Sequence, residues 1–139
     1  MPSFKFRLQK LLEYRQLQEK WAKDAWLEAT ARKMESEKEV DALEKRKKTS
    51  LSAQPCALDE RLALDSYVTR IEDEIRAAEA AVSVLANEVE EALQEWNRAR
   101  QDAEAMGKLR EAEYEQWTLD ETRREQAELV EWSVLMRAS

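Results

Sequence analysis

From Leu64 onward the chain places an apolar side chain at alternating steps of four and three: Leu64, Val68, Ile71, Ile75, Ala78, Val82, Leu85, Val89, Ala92, Trp96, Ala99, Ala103 and Met106. Steps that average 3.5 residues keep one stripe turned toward a partner helix, as in the seam of a left-handed coiled coil. The preceding stretch is less regular. Its best stripe is Leu8, Leu11 or Leu12, Arg15, Ala22, Ala25 or Trp26, Ala29, Ser36, Val40 and Leu43. Small and polar members of this stripe bury little apolar area, so this half cannot hold a partner by burial alone.

One break separates the two patterns: Thr49, Ser50, Leu51, Ser52, Ala53, Gln54, Pro55 and Cys56. A basic cluster, Lys45 to Lys48, precedes it, and Asp59 and Glu60 follow. Bases in a last helical turn and acids in a first turn complement the helix dipole, and proline is tolerated at a helix entry but not in its interior. The pattern therefore predicts a single all-α domain over 1–139: helix one from about 3 (Ser3 as N-cap) to 49, a turn at about 50–56, and helix two from about 57 to 136. The fold expected is an antiparallel two-helix coiled-coil hairpin, with the C-terminal helix longer and overhanging.

A turn centred near Gln54 would set Trp96 near Leu11, Leu12 and Arg15, and Trp26 near residues 83–85. After Met106 and Gly107 the apolar phase changes to Leu109, Ala112, Gln116 or Trp117, Leu119, Arg123, Gln126 and Val130. Such a stutter marks a change of partner surface. The last ~30 residues, ~45 Å of helix, would then lack an intramolecular partner. They include Tyr114, Trp117, Leu119, Leu129, Val130, Trp132, Val134 and Leu135. An exposed apolar stripe of this size reads as a binding surface. Pairing of two overhangs, or an end bent back to cap the hairpin, is the plainer alternative.

Charge sharpens the picture. The 139 residues carry 23 basic and 30 acidic side chains, a net of −7. Residues 1–50 hold 13 basic and 9 acidic groups, whereas residues 51–139 hold 10 and 21. Helices of opposite sign should fold back on each other, with charge setting register and the seam supplying most of the stability. The acidic balance argues against nucleic acid as a partner. The start shows neither the apolar core of a secretory signal nor a membrane span, so a cytoplasmic protein is expected.

Catalytic equipment is sparse. Histidine is absent, cysteine and glycine occur once each (Cys56, Gly107), and prolines number two. That removes the usual neutral-pH base and metal ligand, a disulfide framework or thiolate zinc site, and glycine-rich phosphate loops. Acidic runs such as Glu72-Asp73-Glu74 and Glu90-Glu91, and the helical pair Glu111 and Glu115, are better read as a solvated charged face. No enzyme activity, cofactor or metal is expected, and Cys56 reads as an incidental free thiol.

The opening Phe4-Lys5-Phe6-Arg7-Leu8-Gln9-Lys10-Leu11-Leu12-Glu13-Tyr14-Arg15 resembles the N-terminal signature of the flagellar export protein FliJ family, an aromatic-led start followed by spaced leucines and an arginine. Residues 109–121 are similar to the second characteristic block of that family, and residues 62–85 to its post-turn helix. The resemblance implies a two-helix coiled coil similar to the central stalk of rotary ATP synthases. It also implies a shaft, at the end bearing both termini, held in the pore of a hexameric export ATPase.

Under the same resemblance, the partners are that ATPase, an export-gate membrane protein and export chaperones, at the inner face of the cell membrane at the flagellar base. The ATPase-facing residues would be Leu8, Leu11, Leu12, Arg15, Leu109, Arg110, Trp117 and Leu119. The gate-facing stripe would be Tyr67, Ile71 and Ala78, although Ile71 and Ala78 are also seam positions and Glu74 interrupts the stripe. A monomer in isolation is expected. A self-associating coiled-coil scaffold, the equivalent stalk of a virulence secretion system, and a clamp for unfolded clients using Trp117 and Trp132 are the competing readings.

Overall fold

A computed structural model describes residues 2–138, and within them the chain forms two α-helices and no strand: α1, Gln9–Leu51, and α2, Leu58–Ala138. The two helices pack against each other as an antiparallel coiled-coil hairpin, α2 being the longer. Both prolines fall outside the helices, where a missing N–H costs nothing.

All thirteen positions of the predicted α2 seam are buried or half-buried, with Ile71, Ile75 and Ala103 the deepest. Facing it, the inward line starts at Leu8, just before α1, and runs through Leu12, Arg15, Glu19, Ala22, Trp26, Ala29, Lys33, Ser36, Val40, Leu43, Lys47 and Ser50. This line keeps the four-three spacing throughout, although six of its thirteen members are polar. The helical phase of α1 is thus as regular as that of α2, and it was hidden by residue type.

Helix one starts later than its pattern predicts. Residues 2–6 are not helical and Ser3 is no N-cap; the Gln9 amide donates to the Phe6 carbonyl at 3.1 Å as the chain turns into α1. The first turn of α1 contains no acidic residue, so nothing offsets the positive end of the helix dipole among Lys5, Arg7 and Lys10. Phe6 is instead buried, 6% exposed.

Contacts gather into two units, residues 21–96 and residues 2–20 with 97–138. In the first, Trp26 lies 5.2 Å from Trp96 between ring centroids, flanked along the seam by Ala22, Ala29 and Ala92. Lys23 Nζ sits 5.9 Å from the Trp96 ring. Cross-helix ion pairs join Arg32 to Glu88 at 4.0 Å and Lys47 to Glu72 at 3.3 Å.

These pairs correct the predicted register. Trp96 faces Trp26 rather than Leu11, Leu12 or Arg15, and Trp26 does not face 83–85. The displacement along α1 is roughly three to four helical turns. Its cause is the connection. Residues 52–57 do not form a compact turn; residues 53–55 line a groove with Glu60, Ala63, Leu64 and Tyr67 of α2, and Arg61 Nε donates to the Pro55 carbonyl at 3.3 Å. Six residues can span ~20 Å when extended, so the first turns of α2 pair with the loop instead of with α1.

Candidate docking surface at the chain termini

The second unit holds both chain ends. Arg15, an inward α1 position, pairs with Asp102 at 3.6 Å and donates to Gln18 Oε1 at 3.2 Å. Arg110 Nε donates to Gln9 Oε1 at 3.2 Å, and its guanidinium lies 5.6 Å from the Phe4 ring. Phe4 meets Tyr114 edge-on at 5.2 Å and Trp117 at 5.9 Å, while Tyr114 and Trp117 stack at 6.0 Å. The non-helical N-terminal strap thus carries the pairing of α2 on past the start of α1. Its sequence signal was the alternation Phe4-Lys5-Phe6-Arg7, a period of two that suits extended chain rather than helix.

Because the strap supplies a partner, the expected phase change after Met106 does not occur. The inward line runs on in the same spacing through Arg110, Glu113 and Trp117, and α2 passes unbroken through Gly107. Leu109, 41% exposed, and Leu119, 53% exposed, lie off that line, as does exposed Ala112. The stretch of α2 beyond the strap is therefore shorter than predicted: residues 122–138, ~25 Å of helix. Pro2 lines a groove of about 430 Å³ at its base with Trp117, Glu121, Arg124, Glu125 and Glu128, where Arg124 pairs with Glu121 at 2.9 Å.

The residues expected at an ATPase-facing surface divide by burial. Leu12 is 5% exposed, and Leu8, Arg15 and Trp117 are half-buried within the pairing. Leu11, Leu109 and Leu119 are exposed and open to a partner, while Arg110 is exposed but engaged with Gln9 and Phe4. Of the residues expected at a gate-facing stripe, Ile71 is core at 2% exposed and Ala78 is half-buried, which leaves Tyr67, 38% exposed, at the surface.

The tail itself is the most open apolar element. Leu129, Val130, Trp132, Val134, Leu135 and Met136 are each 58–69% exposed. At 100° per residue they point in six directions that leave no sector wider than about 100° free of apolar surface. Glu131 and Ser133 stand in the two widest gaps, but the apolar side chains are not confined to one face as in an amphipathic helix, and a partner that meets them all must reach more than one side.

No group of acidic residues or cysteine among the described residues is arranged to hold a metal ion. No helix among them is long and apolar enough to cross a membrane. Comparison with curated proteins finds no match, and neither does comparison with solved structures. The family model described as "Flagellar FliJ protein", however, matches residues 4–137, from the strap to the end of the tail. Matched over nearly its whole length, the chain belongs to the flagellar FliJ family, components of the flagellar export apparatus and not a family of enzymes.

Proposed function

We propose that this chain is a non-enzymatic stalk of the flagellar export apparatus, whose C-terminal tail enters the pore of the hexameric export ATPase and stimulates it. The observation that carries the reading is the tail at 129–136, whose six exposed apolar side chains are spread over several sides of the helix. A flat partner, or a second tail lying alongside, covers one face of a helix; a pore lining covers all of them. A rod without rotational symmetry inside a six-fold ring contacts the subunits unequally. Differential affinity for their states then favours the assembled ring and biases its turnover.

Leu11, Leu109 and Leu119 are the side chains free to meet the ring beside the tail. Tyr67 is the accessible candidate for the export-gate protein, while escort chaperones have no surface that stands out. In this reading the protein works in the cytoplasm, at the inner face of the membrane at the flagellar base. Turnover of the cognate ATPase, measured with and without this chain, tests the proposal. Stimulation that disappears with Trp132→Asp and Leu135→Asp, at unchanged helix content, is expected. Unchanged turnover on adding the wild-type chain contradicts it.

A further inference from the structure

The side of α1 turned away from α2 carries a second stripe that the stalk reading does not use. Along this one continuous helix Lys10, Tyr14, Leu17, Trp21, Asp24 and Glu28 follow one another at alternating steps of four and three, the spacing of a coiled-coil seam. At 100° per residue they fall within about 80° of one another, roughly opposite the inward line. All six are exposed, and the three in the middle are large and apolar: Tyr14 is 49% exposed, Leu17 41% and Trp21 55%. A merely solvated face carries charged and polar residues at such positions.

The order of charge along the stripe identifies what covers it. Bases stand at its N-terminal end, Lys10 preceded by Arg7, and acids at its C-terminal end, Asp24 and Glu28. Among the described residues none of these four forms an ion pair. A parallel copy would set like against like. An antiparallel copy sets acid against base, about a two-fold axis that uses the same patch on both chains. One register satisfies the stripe and its flank together. With Tyr14 across from Leu17 of the second copy, Lys10 lies across from Trp21, an ammonium against an aromatic ring, and the flanking Glu13 lies across from Lys20. Asp24 and Glu28 then approach the start of the other α1, whose first turn holds no acid to offset the helix dipole.

We propose that two copies of this chain pair back to back through this stripe, α1 antiparallel to α1, where the protein is concentrated. Three apolar side chains per copy fall short of the ~800 Å² per partner that a stable interface buries. The pairing is therefore weak, and a dilute chain stays single. Sedimentation equilibrium of the full chain from about 10 µM to about 1 mM, a range that brackets weak association, tests it. The expected result is the mass of one chain at the low end and a rise towards that of two at the high end.

Leu17→Asp should weaken pairing by at least about tenfold, with helix content by circular dichroism unchanged because Leu17 lies off the inward line. Glu13→Lys and Lys20→Glu should each pair more weakly than the wild-type chain. An equimolar mixture of those two variants should recover the pairing, since only unlike copies then set acid against base. Trp132→Asp with Leu135→Asp should leave it intact. Four results overturn the proposal: a wild-type chain that stays single throughout, pairing that Leu17→Asp retains, a mixture that pairs no better than its components, or loss of pairing in the tail variant, which would assign it to the tail. None of these bears on ATPase stimulation, so the two readings fail separately.

Discussion

Gly107 sits in mid-helix with a helical backbone, and a Cβ built on it would meet nothing within 4 Å. Nothing about packing therefore requires glycine, and its cost is the extra chain entropy it surrenders on folding. Gly107→Ala should stabilise the hairpin by ~0.5–1 kcal/mol. Thermal unfolding followed by circular dichroism checks this, and a lowered midpoint would show that the position needs a glycine after all. Ile71 and Tyr67 make a second contrast. Ile71 is 2% exposed and Tyr67, against the loop, 38%, so Ile71→Ala should cost ~2 kcal/mol or more and Tyr67→Ala less, ~1 kcal/mol. Equal losses in urea unfolding would refute the division into core and surface. By the same logic Leu12→Asp damages the seam itself, whereas Leu11→Asp and Leu109→Asp probe docking without opening it.

At the scale of the elements, α1 and α2 hold each other with unequal means. Helix two presents an unbroken apolar line, while helix one answers with Arg15, Glu19, Lys33, Ser36, Lys47 and Ser50 among its inward residues. The cross-helix ion pairs Arg15 with Asp102, Arg32 with Glu88 and Lys47 with Glu72 each set a base of α1 against an acid of α2. Such partly exposed pairs are worth only ~0.2–1 kcal/mol each, so they select register more than they add stability. Lys47→Glu should destabilise, and the double swap Lys47→Glu with Glu72→Lys should recover most of the loss; a double-mutant cycle with no coupling would remove this pair from the account.

The seam of α2 and the hairpin itself were legible in the sequence because thirteen apolar residues repeat in one phase. The register was not, because periodicity says which side of a helix faces inward and nothing about the path of a connection. A loop lying along the first turns of α2 moved every pairing by several turns. The start of α1 was not legible for a different reason: Phe4 is held by Tyr114 and Trp117 and Phe6 is buried, while no local acid offsets the helix dipole.

For the molecule as a whole, family membership places the chain in the flagellar export apparatus, and the apolar tail gives that role a physical handle. A hairpin that satisfies its own seam needs no second copy. Light scattering of the isolated chain should therefore return the mass of one chain, and a stable dimer would favour a self-associating scaffold. The central claim is that the tail is encircled, and one measurement addresses it directly. A photo-crosslinker placed in turn at Val130, Trp132, Val134 and Leu135 samples different sides of the same short helix. In the assembled ATPase complex the account predicts crosslinks to the ATPase from all four positions. Crosslinks from one side only, or to a second copy of this chain, would contradict it.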